Sequence, residues 1–461
     1  MRAILIIDCG GRGAELTAKR VRELGVWSVV ERDVSESRIR ELEPAGIIVV
    51  GGEDGVLPNP SVLSLGIPVL GIGCRLGARK ASVPVSRSEL RADRSSALFN
   101  GLGRLIVTAE RALEAPPEGF RTTAFFADGP VAAFEDAVRR IYGVQFHPAA
   151  YPSESGTDVL SNFVIRVCNA DTGWSPDAYL RARVAEIRRR VGDARVFLPV
   201  TGDAASGVCA VLLSKILPGR VYCAAADTGI LSDPDTESAL SDLLSFGLRV
   251  SAADAEESAM SGLSGLTDRA EKLAAVRHAS LQALARAASE IPGPLLLGRS
   301  SLYPEEDAQS QGLTELYGFS DVISPLDGLF REEALRLGLI LGMPRSFLRR
   351  QRLAPGAAAR IIGEVNYEKA AMLRAADRIF RDEVERGRVR PARYFAVLTD
   401  MRVTRGAVVV LRAVDAEGSV SPYSRLPHRV LERASARIKS EVPGIGRVLY
   451  DITDTPAEPD W

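Results

Sequence analysis

Histidine is scarce in this chain. There are three in 461 residues, His147, His278 and His428, so a mechanism that needs several imidazoles is already in difficulty. Cysteine is sparse too. Cys9, Cys74, Cys168, Cys209 and Cys223 form an odd, scattered set with no CxxC pair. That excludes the usual zinc spacings and fits a reducing cytoplasm, the expected location. No apolar run reaches the ~18 residues of a membrane span, so no membrane partner is expected. The N-terminal MRAILIIDCGG has an apolar core too short for a signal peptide and reads as a first strand entering a glycine-rich turn. Neither sign of charge is in excess: 58 Lys and Arg stand against 59 Asp and Glu, a net charge of −1. A nucleic-acid partner is therefore not expected.

What is present is an ordinary globular mixture, 46% apolar and 25% charged, long enough for two to four domains. Short β-branched runs alternate with helical patterns. AILIID (3–8), GIIVVGG (46–52) and PVLGIG (68–73) read as buried parallel strands. Between the first two, ELTAKRVRELGV places Leu16, Val21 and Leu24 on roughly one helical face, which gives βαβ rhythm and an open α/β sheet. The strands LIVTA, TTAFFA and GVQF and a helix near 157–168 follow. The polar stretch 169–180 reads as a linker. A second α/β unit opens with the strand RVFLPVT, the turn GDAASG and the helix VCAVLLSKIL. It continues with RVYCAAADTG, a helical region over 255–290 and PGPLLLGRS. Pro355-Gly356 opens a third, smaller α+β region with a helix across 367–387, the strands YFAVLT and AVVVLRAV, a helix near 427–441 and a last strand RVLYDIT.

Several stretches, in this order, resemble the glutamine-hydrolysing GMP synthetase family: RVRELGV, PVLGI, GVQFHP, ADTGIL, SPLDGLFREEALRLGLILGMP, RIIGEV, RLP and EVPGIGRVLYDIT. The likeness covers essentially the whole chain. It implies a flavodoxin-like class I glutamine amidotransferase domain (1–168), an adenine-nucleotide α-hydrolase-like ATP-pyrophosphatase domain (175–350) and a small α+β dimerisation domain (351–461). It implies ATP and Mg2+ as cofactors and a homodimer through the last domain. The family hydrolyses glutamine and passes ammonia to an XMP adenylate. Fold travels through such a likeness, but activity resides in the site.

Amide hydrolysis needs an activated thiolate, a base, an orienting carboxylate and an oxyanion hole. The family sets its nucleophile on an elbow reading GICYG. Here the elbow is Gly73-Cys74-Arg75-Leu76-Gly77, so Gly73 stands at the nucleophile position and Cys74 one residue late. His147 is kept, but its orienting carboxylate has become Ala149, and losing a third triad member alone costs about 10⁴ in rate. Gly51-Gly52 remain from the oxyanion loop. Cys74 and His147 are the catalytic candidates. Cys74 reads either as a displaced nucleophile whose pKa Arg75 lowers or as an incidental thiol, and the strict geometry favours the second.

The family's phosphate loop, SGGVDS, corresponds to Thr201-Gly202-Asp203-Ala204-Ala205-Ser206. Strand, turn and helix are in place, so Thr201, Gly202, Asp203 and Ser206 are nucleotide-binding candidates. Asp203 replaces a glycine. It reads either as a migrated Mg2+ ligand or, more simply, as an N-cap. Asp227, Thr228 and Gly229 of ADTG would lie near adenine. Gly312–Pro325 stands where the family has a cationic lid and contains no Lys, Arg or His. The loop between YFAVLT and AVVVLRAV is deleted, the hinge is reduced to RLAPG, and Thr455 replaces a terminal lysine. Arg360, Glu364 and Arg425 remain as candidates for holding a substrate phosphate, with Arg437 alongside.

Three readings follow. The chain is a pseudoenzyme that binds a purine nucleotide or an authentic GMP synthetase. Or it is an altered ATP-dependent ligase using free ammonia on a changed acceptor. Or it is an ordinary GMP synthetase that tolerates unusual residues.

Overall fold

In the computed structural model, the described residues are 2–10, 13–32, 34–52, 60–81, 86–109, 111–149, 155–232, 234–304, 308–349, 356–389, 391, 393–403, 406–415 and 423–453. The chain divides into two compact units, Met1–Arg181 and Ala182–Trp461.

The N-terminal unit holds β1 (Ile4–Asp8), α1 (Ala14–Glu23), β2 (Ser28–Glu31), α2 (Glu36–Leu42), β3 (Gly46–Val50) and β4 (Val69–Ile72). There follow β5 (Lys80–Ala81), β6 (Ser86–Ala92), β7 (Ile106–Ala109), β8 (Ala112–Leu113), β9 (Arg121–Phe126), β10 (Val131–Asp136), β11 (Ile141–Val144) and α3 (Gly156–Ser161). The helix continues as a π-helical turn over Asn162–Val167. The main sheet runs β2-β1-β3-β4-β11-β10-β9-β6-β7, parallel through β11 and antiparallel beyond it. The first five strands follow the flavodoxin-like order, which puts functional groups at their carboxyl ends. β1 and β3 are buried along their whole length, as strands covered on both faces must be.

Two sequence expectations change here. Leu16 does not join the buried face of α1. It is 36% exposed, and Ala14, Thr17, Ala18 and Val21 face the core instead. The stretch 169–180 is not a free linker: Trp174 and Tyr179 pack on Trp27, with ring centroids 6.0 and 5.6 Å away.

Helix α4 (Pro176–Val191) leads into the second unit. There lie β12 (Arg195–Pro199), α5 (Ala204–Ile216), β13 (Val221–Asp227), α6 (Pro234–Ser245), β14 (Val250–Asp254), α7 (Glu256–Gly262), α8 (Arg269–Ser289) and β15 (Leu295–Gly298). Then come α9 (Ala308–Leu316), β16 (Val322–Ile323), α10 (Arg331–Ile340), α11 (Arg345–Leu348) and α12 (Tyr367–Arg386). Last are β17 (Arg393–Val403), β18 (Gly406–Val414), α13 (His428–Glu441) and β19 (Ile445–Tyr450). One sheet runs β14-β13-β12-β15-β16, all parallel, and another β17-β18-β19. β12 lies at the switch point of the first, so the turn after it sits where doubly wound sheets bind ligands.

A boundary near residue 350 was expected inside this unit. Residues on either side of that boundary nevertheless pack together: Leu231, Ala259, Leu263 and Ala279, none of them in a strand, lie in one cluster with Ile361, Leu373, Phe380, Leu398 and Val409, while the β14–β16 sheet has its own cluster around Phe197, Ala224 and Leu297. Lys272 of α8, 2% exposed, reinforces this by donating to the Ile361 and Gly363 carbonyls at 2.6 and 3.1 Å. The expected lid segment contains the end of α9, where a Cβ on Gly312 would meet Leu281 at 2.6 Å and Leu313 is buried. Its residues up to Leu316 are packed helix, and Val322–Ile323 form β16. β17 and β18 pair out to Val403 with Gly406, in keeping with a deleted loop. The hinge residues Arg352–Pro355 and the tail with Thr455 lie outside the described residues.

Candidate functional site

The elbow forms at the end of β4. Gly73 has φ +67°, a left-handed conformation that glycine adopts without the steric cost of a Cβ. This is the strained turn that an elbow needs to lift a nucleophile off the sheet. The space a side chain would enter is tight. A Cβ on Gly73 would lie 3.2 Å from Nη1 of Arg111. That guanidinium donates to the carbonyls of Gly73 at 3.0 Å and Gly52 at 2.8 Å, tying the elbow to the former oxyanion loop. Arg111 is itself held by its N–H to the Gln145 carbonyl at 3.2 Å, and Gln145 donates from Nε2 to the Cys74 carbonyl at 2.8 Å.

Cys74 points the other way, into the core beside Val49 and Val69. It is 1% exposed, and its thiol faces the Val49 and Ile72 carbonyls at 3.7 and 3.8 Å. Burial, followed by the neighbouring Cys9, pushes its pKa up to about 12, with Arg111 pulling the other way. The displaced-nucleophile reading of Cys74 therefore gives way to a core thiol, and Arg75 is not among the groups acting on it.

His147 is 5% exposed and packs so closely on Gly13 that a Cβ there would meet its Nε2 at 2.1 Å. Its Nδ1 accepts the Ala149 N–H at 3.3 Å. Burial lowers its pKa, against an opposing hydrogen bond with the Gly13 backbone. A neutral ring that accepts at Nδ1 carries its proton on Nε2. Triad chemistry needs the reverse, with Nδ1–H held by a carboxylate and Nε2 free to take a proton. Ala149 thus lacks the carboxylate, and the backbone N–H at this position, which any residue but proline would supply, favours the other tautomer. The sequence does not signal Arg111. Its only sequence trace is the missing side chain at Gly73, which leaves a void to fill.

In the second unit, Gly202 has φ +80° and turns the chain from β12 into α5. Asp203 is the N-cap. Its Oδ1 accepts the Ser206 N–H at 2.7 Å and its Oδ2 the Thr201 hydroxyl at 2.9 Å. The Ser206 hydroxyl donates back to the Asp203 carbonyl at 3.1 Å. Thr201, Gly202, Asp203 and Ser206 are brought together as expected, but their polar groups satisfy one another. The Asp203 carboxylate, 9% exposed, occupies the helix N-terminus that a phosphate would use. Two unit charges ~4 Å apart repel by about 4 kcal/mol at an effective dielectric of 20. As it stands, this turn does not fit the phosphates of ATP. Both Asp203 oxygens are hydrogen-bonded within the turn, in the manner of the N-cap reading. Among the described residues no three His, Cys, Asp or Glu side chains converge on a metal position.

Asp227, Thr228 and Gly229 also form a self-capped turn. Asp227 Oδ1 accepts the Gly229 N–H at 2.9 Å, and the Thr228 N–H reaches Ser232 Oγ at 3.2 Å. The Glu256 carboxyl group lies where a Cβ of Gly229 would be, and Arg374 donates to the Gly229 carbonyl at 3.1 Å.

Arg360 is not a phosphate ligand. It is 3% exposed and paired with Asp377 at 2.8 Å. Asp377 also receives Arg381 at 2.9 Å and the Ala396 N–H at 2.7 Å. Burial alone would raise the Asp377 pKa, but Arg360 and then Arg381 overcome it and hold the carboxylate below its usual range. Glu364 accepts the Gly265 N–H at 3.0 Å and serves as a turn cap. Arg437 bridges Asp382, Glu383 and Glu441. Arg425 is exposed.

A parallel amidotransferase-type sheet with an elbow at β4, followed by a doubly wound sheet with a capped turn at its switch point, defines a two-part glutamine-dependent ligase class. The comparisons narrow it. Residues 5–167 match the class I glutamine amidotransferase family, and residues 388–459 match the GMP synthase C-terminal domain. The glutamine-hydrolysing GMP synthase of Aquifex aeolicus is 33% identical over 99% of this chain and 98% of its own length. That of Caldanaerobacter subterraneus subsp. tengcongensis is 32% identical over 99% and 98%. The chain belongs to the glutamine-hydrolysing GMP synthase family.

Proposed function

We propose that this member of the family has given up glutamine hydrolysis and XMP amination and acts by binding, as a nucleotide-binding or regulatory protein in purine metabolism. The observation that carries this reading is the Arg111 guanidinium, 3.2 Å from where a nucleophile's Cβ would begin. The reversed tautomer of His147 and the capped turn at Asp203 independently support the loss of both chemistries. Near-attack chemistry tolerates displacements of well under an ångström, so three such intrusions are not offset by a sound scaffold.

The protein is a homodimer through residues 351–461 in this reading, and an authentic GMP synthase is its natural heteromeric partner. Among the described residues no helix is long and apolar enough to cross a membrane.

The test mixes purified full-length chain with glutamine, ATP, Mg2+ and XMP and follows glutamate, AMP, pyrophosphate and GMP by mass spectrometry. No product above the blank is expected. Glutamate release that disappears in Cys74→Ala would restore the hydrolase. Pyrophosphate release with free ammonia and a purine acceptor would favour the altered ligase instead.

A further inference from the structure

The N-terminal unit carries a hollow at the end of β11 opposite His147. It measures about 450 Å3, within the range of small-molecule sites, and its lining includes Arg140, Arg166, Tyr142, Asn100, Ala97 and Val167. The two arginines reach it from unusual backbone. Arg140 is the last residue of the turn between β10 and β11, where Asp136 pairs with Ile141. Its φ of 58° is left-handed, a position that glycine or asparagine takes at lower cost. Arg166 stands in the π-helical turn Asn162–Val167, a deformation that clusters at functional sites. An outlier of either kind costs free energy and invites a functional explanation.

Both guanidiniums are held by neutral groups. Arg140 Nη2 donates to the Gly66 carbonyl at 2.9 Å, and Arg166 Nη1 donates to Asn100 Oδ1 at 3.1 Å. Neither has a carboxylate partner among the described residues. The acids of β10 are already engaged, Glu135 by Arg121 and Ser96, and Asp136 by Arg139. Two oriented cations with remaining N–H donors therefore share one hollow. Tyr142, 5% exposed, forms its aromatic wall.

We propose that this hollow binds a small phosphate monoester, its phosphate bridged by Arg140 and Arg166 and its organic part set against Tyr142, Ala97 and Val167. Planar guanidinium forks match phosphate oxygens in pairs, which favours this ligand class over a simple halide. The site is separated from the elbow by the length of β11, roughly 13 Å for four residues at ~3.3 Å each. It goes beyond the binding function proposed above and stands or falls separately from it.

The test titrates full-length protein with inorganic phosphate and with phenyl phosphate by calorimetry and 31P NMR. It compares wild type with the double variant Arg140→Gly/Arg166→Gln. Glycine suits the left-handed turn, so the variant should keep its Tm, and a loss of binding then reports the site rather than the fold. Saturable binding weakened at least tenfold in the double variant is expected, with phenyl phosphate the tighter probe and Arg111→Ala unchanged. The proposal is overturned if wild type shows no saturable binding, or if the double variant binds as wild type does.

Discussion

The elbow of the N-terminal unit and the turn after β12 are both occupied by the protein's own side chains, but the intruders come from different distances. Arg111 stands 38 residues from Gly73 along the chain. Asp203 stands three residues from the Ser206 N–H it caps. One site is filled through tertiary structure, the other through a local turn. The difference matters for reversibility. A local cap can be removed with little effect on its surroundings, whereas a long side chain fixed by Gly52, Gly73 and Gln145 is part of how three strands are joined.

The largest expected effect tests whether the second unit has also turned a binding group into structure. Arg360→Ala should cost about 3–5 kcal/mol in urea unfolding, since it leaves Asp377 buried with one partner fewer. A near-neutral result would return Arg360 to the surface and to its expected role with phosphate.

Next is Arg111→Ala, which removes two charge-assisted bonds to carbonyls and should cost roughly 1–3 kcal/mol. Adding Gly73→Cys to that background gives a sharper readout. The introduced thiol should be alkylated by iodoacetamide at pH 7.5 while Cys74 is untouched, because Cys74 needs a pH near 12 to ionise. Labelling of Cys74 in the folded wild type would break the contrast between the two positions.

Asp203→Ala should cost about 0.5–2 kcal/mol, the range for losing an N-cap, and Asp203→Gly only a few tenths. The glycine variant should also gain affinity for ATP by calorimetry, since the helix N-terminus is then open. If wild type binds ATP in an Mg2+-dependent way and Asp203→Ala abolishes it, the carboxylate is a metal ligand and the comparison of the two sites fails.

The smallest effect is on pH. Burial lowers the His147 pKa in the folded state. The unfolded chain then binds the proton first, so stability is full above ~6.5, the unfolded value, and falls as pH drops below it. Tm measured from pH 7.5 to 5.5 should decline more for wild type than for His147→Gln.

Much of this was legible in the chain. The βαβ rhythm, the glycine at the elbow and the aspartate at the phosphate turn are all visible as residues in order, and the N-cap reading of Asp203 needed only its place before a helix. In the structure Asp203 sits as the N-cap of α5 and Cys74 lies in the core. Arg360 read as a phosphate-holding cation until the core it lies in was assembled. The packing of Leu231 in one cluster with Phe380 was not legible, because the two are far apart in sequence and meet only in space.

The sequence by itself determined the two sheet architectures and the local turns, since side-chain period, β-branching and capping act within a few residues of backbone. Only the tertiary structure decided that Arg111 fills the elbow, that His147 packs on Gly13 and that Arg360 belongs to Asp377. A long side chain goes wherever folding leaves a void and an acceptor. That choice depends on which distant strands end up adjacent, and neighbouring residues in the chain do not encode it.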